Sequence, residues 1–416
     1  MKKIKIINRK KINKNIIVTV DFGKNHNYGY CMYDNKEIEP VKFENNIDGF
    51  EYFYNVILNF SQEIKIDKII FGSESTGTYG LLLQYFLMDK GIEVVQVNPK
   101  HVKKTKETID NTPNKTDMKD VKVIAELIER GNYLSTILPQ GDEAELRHLF
   151  HARDRLVEER TSKINLLKDL EFRVFPEFET IFKDFNTKIV LYLLLECALP
   201  EELLEQNKME LYEKLKKLSK GQLKKEKFEK LFELAKRSVG IKYGREAIKK
   251  EIQLKVKQIL DINKYIKELE QDMATMLASS EVAKKLKTIP GINNVIASAI
   301  IGEIGDFKNF NNSRELTKLC GLNLYEKSSG QHQGNKRISK MGRSRLRKLL
   351  FFATLSLIRN DEAIKKKYNE YLSRGMIKMK AVTAITRKLV RIIFAIVRDN
   401  KVYISGYDKS NCKKTA

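Results

Sequence analysis

The sequence predicts an α/β domain at the N-terminus followed by two mainly helical regions in a chain of 416 residues. Short β-branched and aromatic segments cluster near the start, which is typical of the strands of a sheet. Apolar residues then recur at helical spacing over about 143–280, and proline is absent from 201 to 289. From residue 282 the pattern becomes compact again, and Pro290-Gly291 interrupts it. We therefore expect domains over 1–142, 143–280 and 281–416.

Three consecutive strands are predicted at 16–22, 28–33 and 37–43. The third contains Pro40, which favours a sheet edge because proline lacks the N–H that a central strand needs. Helices at 48–62, 79–90 and 117–130 alternate with strands at 68–72 and 94–97. The resulting order, β-β-β-α-β-α-β-α, is that of a ribonuclease-H-like fold.

The middle region is predicted to contain long helices with coiled-coil seams. The two apolar seams consist of Leu146, Leu149, Leu156, Ile164, Leu167 and Leu170, and of Ile262, Ile266, Leu269, Met273 and Met276. We interpret this Lys- and Glu-rich region as a spacer or dimerisation arm without chemistry of its own. His148 and His151 lie three apart on one helix, but no third metal ligand is near them, so solvated or stacked histidines are the preferred interpretation.

The balance of charge favours a polyanionic partner. Lys and Arg outnumber Asp and Glu by 78 to 54, which gives a net charge of +24. A uniformly Lys-rich composition is the alternative explanation. The clustering of basic residues favours a polyanionic partner. Residues 331–350 contain seven Lys or Arg, residues 376–398 contain six, and neither stretch contains an acid.

Composition also excludes several classes of protein. With 42% hydrophobic and 32% charged residues, and no apolar run of membrane-spanning length, the chain is predicted to be a globular protein without a membrane partner. The four cysteines form no Cys-x-x-Cys pair, which argues against a zinc finger and against a disulfide scaffold. We expect a reducing, cytoplasmic location, because no secretion signal is evident.

Four acids from three segments are candidates for a metal site. Asp21 ends the first strand, and Glu74 follows the strand at 68–72, so both can reach the same end of the sheet. Asp117 and Asp120 share one face of a predicted helix start, although an isolated Asp there is more often a cap. Carboxylates suit Mg²⁺, and two such ions about 4 Å apart stabilise phosphoryl transfer.

These residues lie in motifs that resemble the Asp-Glu-Asp-Asp transposases of the insertion-sequence family numbered one-hundred-and-ten, whose relatives include Piv-type DNA invertases. The N-terminal motifs are the Asp21 segment, SESTGTY around Glu74, VNPKHVK at 97–103 and KTDMKD at 115–120. The C-terminal motifs are KTIPGINNVIASAIIGEIGDF at 287–307, LCGLNLYEKSSG at 319–330 and RISKMGRSRLRKLL at 337–350. The resemblance covers roughly 16–400 apart from the long middle.

The resemblance implies a RuvC-like catalytic domain that binds Mg²⁺, or Mn²⁺, through Asp21, Glu74, Asp117 and Asp120. It also implies a C-terminal serine-bearing transposase domain with a basic tail, in which Ser329, or as second choice Ser328, links covalently to DNA. Donor and target DNA, a noncoding bridge RNA and a homo-oligomer, dimer or tetramer, are the implied partners.

The C-terminal region also suggests direct nucleic-acid contacts. The sequence around Pro290-Gly291 is typical of a helix-hairpin-helix turn, whose backbone N–H groups bind phosphate, or else of an ordinary helix-helix turn. The acid-free stretch after the Ser-Ser-Gly loop adds cations. The predicted nucleic-acid-binding residues are Gly291, Lys336, Arg337, Lys340, Arg343, Arg345, Arg347 and Lys348.

Two other functions remain possible on the sequence. A structure-selective, Mg²⁺-dependent nuclease of the junction-resolvase kind would use the same acids with water as nucleophile. A catalytically inactive nucleic-acid-binding scaffold is the third possibility, and the intact set of four acids argues against it.

Overall fold

The structure is a computed structural model that describes residues 15–74, 77–109, 117–326 and 336–406, without the side chains of residues 107–109, 117 and 135. The chain divides into two compact units, one ending at Leu138 and the other beginning at Pro139. The first is an α/β unit with a mixed sheet, and the second is mainly helical. The expected α/β plus helical organisation is therefore confirmed, whereas a boundary near residue 280 stays a prediction.

Seven strands of the described N-terminal residues form one sheet in the order β3-β2-β1-β5-β6-β7, and β4 also pairs with β2. The strands are β1 (Ile16–Phe22), β2 (His26–Tyr33), β3 (Lys36–Glu37), β4 (Val41–Glu44), β5 (Ile69–Glu74), β6 (Glu93–Val97) and β7 (Leu134–Ser135). The helices of this unit are α1 (Ile47–Ile64), α2 (Leu81–Asp89), α3 (Pro99–Ile109) and α4 (Asp117–Glu129). Strands β1, β5 and β6 are parallel, and the remaining pairs are antiparallel.

The predicted third strand is wrong in one respect. It is split into β3 and β4, which both pair with β2 on either side of Pro40. Proline has no N–H to continue the ladder, so the strand breaks there at the outer side of the sheet. The sequence also failed to predict α3 and β7.

Helices cover both faces of the sheet. Phe53 of α1 and Leu83 of α2 pack with Val18 and Phe71 on one face. Residues of α4 pack on the other face, against Ile17 and the neighbouring strands. The centres of β1 and β5 are buried because both faces of the sheet are covered.

The second unit contains two long helices, α5 (Gly141–Val174) and α11 (Arg245–Leu277). The shorter helices between them are α6 (Phe178–Ile181), α7 (Lys188–Glu196), α8 (Pro200–Glu205), α9 (Lys208–Leu218) and α10 (Lys225–Lys236). The elements that follow are α12 (Glu281–Leu286), α13 (Asn294–Ile304), α14 (Ser313–Leu319), β8 (Leu324–Tyr325), β9 (Arg337–Ile338), α15 (Ser344–Asn360), α16 (Glu362–Ser373) and α17 (Lys378–Arg398).

The long helices α5 and α11 run antiparallel. Arg153 donates to Glu270 at 2.8 Å, whereas Lys163, further along α5, donates to Gln258, which lies earlier on α11. One end of the pair joins a hydrophobic core with α12–α17, and the other end joins a second core with α6–α10. The predicted seams lie on these two helices, and their description as a coiled coil stays a prediction.

Candidate functional site

The first two candidate acids lie at the ends of adjacent strands. Strands β1 and β5 pair in parallel with Val20 opposite Ser73, and Asp21 and Glu74 are the residues that follow this pair. Because parallel strands end at the same edge of a sheet, the two acids lie at one end of the sheet. The prediction that these strands are neighbours is confirmed.

Both acids also lie on the face of the sheet that α4 covers. The Thr19 hydroxyl donates to the Val121 carbonyl of α4 at 2.8 Å, and Asp21, two residues on, points to the same side. A Cβ at Gly72 would come within 2.1 Å of an α4 side chain, so Glu74 lies on that side as well. The alternation of strand side chains therefore directs both carboxylates toward α4.

The first turn of α4 supplies the third carboxylate. Asp120 is 4% exposed and forms an ion pair with Lys106 of α3. Asp117 begins α4 three residues earlier, so it belongs to the same helix face, while its side chain is outside the described residues. The donor chemistry fits a divalent cation, because hard cations prefer carboxylate oxygens.

These acids are not gathered around a metal ion in the structure. Among the described side chains, no three His, Cys, Asp or Glu are close enough together to bind one. Asp120 instead has an ammonium group as its counter-charge, from Lys106. Sequence reasoning missed Lys106, because its helix was not predicted and nothing in the sequence pairs it with Asp120.

The predicted nucleic-acid-binding residue Arg343 faces a buried carboxylate. Glu303 of α13 is 2% exposed, and its Oε2 lies 3.4 Å from Arg343 Nε and 3.9 Å from Arg147 Nε. Its Oε1 lies 2.6 Å from His151 Nε2. Burial acts to raise the pKa of Glu303, but the His151 hydrogen bond and the two guanidinium charges outweigh it, so this pKa lies below its usual value. His151 is therefore engaged with Glu303.

Arg345 and Lys348 share a second buried acid. Asp154 of α5 is 2% exposed, and its two oxygens lie 3.2 Å from Arg345 Nε and 3.3 Å from Lys348 Nζ. Arg347 donates to the Cys320 carbonyl at 3.0 Å. The cations at the start of α15 thus hold this helix against the rest of its unit. Only the exposed part of each of these side chains is available to contact a ligand.

The β8–β9 hairpin carries the next predicted contacts. Tyr325 pairs with Arg337, and Lys336 Nζ lies 3.8 Å from Glu326 Oε2. Lys340 follows in an exposed turn. The predicted nucleophiles Ser329 and Ser328 belong to residues 327–335, which lie outside the described residues.

Gly291 forms a close packing contact. Its φ is +92°, and a Cβ there would be 2.8 Å from the Ala353 carbonyl of α15. The N-terminus of α13, which follows, is capped by the Asn293 side chain, which accepts from the Ile296 N–H at 3.0 Å. Packing against α15 therefore explains the glycine, and phosphate binding by this turn stays a prediction.

No helix in the described part of the chain is long and apolar enough to cross a membrane.

Two family models match the chain. A DEDD model described as a transposase covers residues 18–176, and a second model, described as the transposase IS116/IS110/IS902 family, covers residues 283–369. The first match includes all four candidate acids, and the second includes α15 and the loop with the candidate serines. Both matches occur in the order that the motifs predicted.

Curated relatives agree with these models. The chain is 24% identical to the transposase for insertion sequence element IS1111A of Coxiella burnetii over 77% of this chain and 75% of that protein. It is 29% identical to the transposase for insertion sequence element IS1328 of Yersinia enterocolitica over 33% of this chain and 42% of that protein. A pilin gene-inverting protein of Moraxella bovis is 29% identical over 29% of this chain and 38% of that protein.

Proposed function

Because this chain belongs to the IS110 family of transposases, we propose that it cuts and rejoins donor and target DNA with a carboxylate metal site and a serine nucleophile. The observation that carries the proposal is the parallel register of β1 and β5, which brings Asp21 and Glu74 to the α4 face of one sheet edge. The topology of this sheet, with three antiparallel strands leading into parallel ones, supports a ribonuclease-H-like, RuvC-like domain.

The four acids are proposed to bind Mg²⁺, or Mn²⁺ in its place. Asp21 and Glu74 contribute from the strand ends, and Asp117 and Asp120 contribute from one face of α4. A divalent cation, when bound, supplies positive charge to the phosphate under attack. Burial of Asp120 strengthens its attraction for any cation that replaces Lys106, because water screens the interaction little there.

Ser329 is proposed to carry the covalent step, with Ser328 as second choice. Its hydroxyl oxygen forms a bond to the phosphorus of the scissile phosphodiester, and the P–O bond to the departing strand end breaks. The serine proton leaves to a base or to solvent, and the departing oxygen is protonated. The phosphoserine ester has nearly the energy of the original bond, so a strand end can reverse the step and be joined without an external energy source.

Specificity is proposed to come from a noncoding bridge RNA that pairs with donor and target DNA. A homo-oligomer, dimer or tetramer, would bring two or four acid sites and as many serines to the exchanging strands in the cytoplasm. The net charge of +24 supports polyanionic partners of this kind.

Trapping the covalent adduct tests the nucleophile. The purified chain is incubated with labelled substrate DNA and Mg²⁺, denatured, and examined for labelled DNA that stays attached to protein. Wild type should give an adduct and recombinant DNA, and Ser329→Ala should give neither while it still binds nucleic acid. Ser328→Ala is the matched control.

Two outcomes would change the proposal. Loss of the adduct in Ser328→Ala alone would transfer the role to Ser328. Cleavage of DNA by the double variant in Mg²⁺, without an adduct, would favour the alternative function, a structure-selective nuclease that uses water.

A further inference from the structure

The last long helix, α17, carries a stripe of cations along its exposed side. Lys380, Arg387 and Arg391 are spaced seven and four residues apart, which brings them to within about 40° of one another around a helix of 3.6 residues per turn. The buried residues of α17 occupy the other side. Lys388, about 60° from Arg391 around the helix, completes the stripe. Sequence reasoning recognised the acid-free stretch 376–398 but assigned no site residue to it.

These cations differ from Arg343, Arg345 and Lys348 in having no carboxylate partner among the described residues. Within the described residues, no Asp or Glu oxygen lies within 4.0 Å of the charged groups of Lys380, Arg387, Lys388 or Arg391. Arg398, at the end of the helix, is paired with Asp399 at 2.6 Å. The stripe is therefore uncompensated positive charge.

Two of the guanidinium groups lie close together. Arg391 Nε donates to the Arg387 backbone carbonyl at 3.4 Å, which directs its side chain back along the helix. Partial burial and the nearby charge of Arg391 both lower the pKa of Arg387. Arg387 Nε is buried and has no hydrogen-bond partner among the described residues. A bound anion would relieve the repulsion between the two guanidinium charges.

A shallow cleft continues the positive surface at the start of α17. It has a volume of about 380 Å³ and is lined by Tyr371, Arg374, Gly375, Met376, Ile377 and Lys380. The first turn of α17 contains no acid, so the positive end of its helix dipole has the same sign as the side chains.

We propose that the α17 stripe, formed by Lys380, Arg387, Lys388 and Arg391, binds the phosphodiester backbone of a duplex nucleic acid. This inference rests on the proposed function and adds to it the surface that binds the polyanion. The stripe spans 11 residues from Lys380 to Arg391, which is about 16 Å at 1.5 Å per residue and is long enough to contact more than one phosphate of a strand.

An acidic protein fits this surface less well. Protein interfaces usually have an apolar centre, whereas no large exposed apolar residue occurs within α17 after Met379. Ala384 is the residue at the middle of the stripe, so the backbone of a nucleic acid can approach the helix closely.

Salt-dependent binding of a labelled DNA duplex to the full chain tests the proposal. Arg387→Gln/Arg391→Gln should flatten the slope of log K against log salt by about two, because each lost phosphate contact removes about 0.9. Lys380→Gln/Lys388→Gln should have a similar effect, because it removes the same number of charges from the stripe. Arg245→Gln/Lys284→Gln is the charge-matched control, since these cations pair with Glu201 and Glu281. Its slope should stay near that of wild type.

The outcomes separate the two hypotheses. Equal slopes for wild type and both stripe variants, with wild type binding DNA, would overturn the role of α17 and leave the proposed function intact. A parallel titration with an RNA duplex of the same length identifies the source of the backbone, since a slope change with RNA alone assigns the stripe to RNA. If the chain forms the adduct normally, and the stripe binds an acidic protein but neither duplex, the inference is overturned in favour of a protein partner. If wild type binds neither duplex and forms no covalent adduct, both the inference about α17 and the proposed function are wrong.

Discussion

The acids of the N-terminal sheet lie at the ends of strands, whereas the acids of the helical unit lie inside it among cations. Asp21 and Glu74 are half-buried at an open sheet edge. Asp154 and Glu303 are almost fully buried, and each contacts two or more basic side chains. A carboxylate at a strand end can bind a ligand, whereas a buried carboxylate neutralises the positive charge of the basic side chains around it. The buried acids of the helical unit thus neutralise the basic side chains around them, whereas the strand-end acids are the ones that we propose to bind a cation.

This difference also explains the contrast between α15 and α17. Both helices come from acid-free stretches, and the two look alike in composition. Buried acids from distant segments face α15, and none lies within 4.0 Å of the described stripe of α17. The two basic stretches therefore differ in how much of their charge is neutralised by described acids, and nucleic-acid binding by the α15 cations stays a prediction.

The largest effect is expected at the sheet edge. Asp21→Ala, Glu74→Ala or Asp120→Ala should each lower DNA cleavage by roughly a thousandfold or more, because the charge that binds the cation and stabilises the transition state is lost. Thermal unfolding should stay nearly unchanged for Asp21 and Glu74, since removal of a like charge relieves repulsion. Cleavage rates in Mg²⁺ and melting temperatures measured together test this.

The exposed acid Glu51 on α1 provides the control, and Glu51→Ala should cleave normally. A strand-end variant that cleaves at the wild-type rate would remove that residue from the site. If the variant unfolds instead, the carboxylate that it lacks stabilises the fold, as we expect for Asp154.

The next largest effect is on stability. Asp154→Ala should destabilise the helical unit by about 1–3 kcal/mol, because Arg345 and Lys348 lose the buried carboxylate that holds them against α5. Denaturant unfolding followed by circular dichroism measures this. Glu158→Ala, which removes an exposed acid 3.7 Å from the same Lys348, should cost less than about 1 kcal/mol. Equal costs would mean that the buried pair is no more important than a surface one.

The sequence predicted what short-range patterns determine. Strand β1 and helix α4 begin and end within a residue of the predicted bounds, because alternation and helical spacing are local. The parallel register of β1 and β5 then places Asp21 beside Glu74. The partners of the α15 cations could not be predicted, since Asp154 is 194 residues from Lys348 and no local pattern joins them.

A smaller effect is expected at Lys106. Lys106→Met leaves the buried Asp120 carboxylate without its counter-charge, which should destabilise the metal-free protein by about 1–3 kcal/mol. Added Mg²⁺ should then raise the melting temperature more than it does in wild type, because no ammonium competes for Asp120. Lys103→Met, an exposed neighbour on α3, is the control. An unchanged response to Mg²⁺ in Lys106→Met would separate Lys106 from the cation-binding acids.

The smallest effect is expected at Glu171, a buried acid whose carboxylate has no hydrogen-bond partner among the described residues. Glu171 lies on α5, as Asp154 does, and is 1% exposed, but neither of its oxygens has a hydrogen-bond partner among the described residues. Burial raises the pKa of Glu171 well above its usual value of 4.5. The folded state therefore holds a proton that the unfolded state loses first, so stability should fall as the pH rises above 4.5 toward the raised pKa.

Glu171→Gln removes this titration while it keeps the size of the side chain. Between pH 4.5 and 5.5, the free energy of unfolding of wild type should fall relative to Glu171→Gln, by at most about 1.4 kcal/mol for each pH unit. Paired Glu303 has the opposite sign, because its lowered pKa gives stability that is lost as the pH falls below 4.5. Asp169→Asn, an exposed change on α5, should leave the wild-type pH profile unaltered. Parallel profiles for wild type and Glu171→Gln would mean that Glu171 reaches water or a partner. The contrast with Asp154 would then fail, because both buried acids of α5 would be compensated.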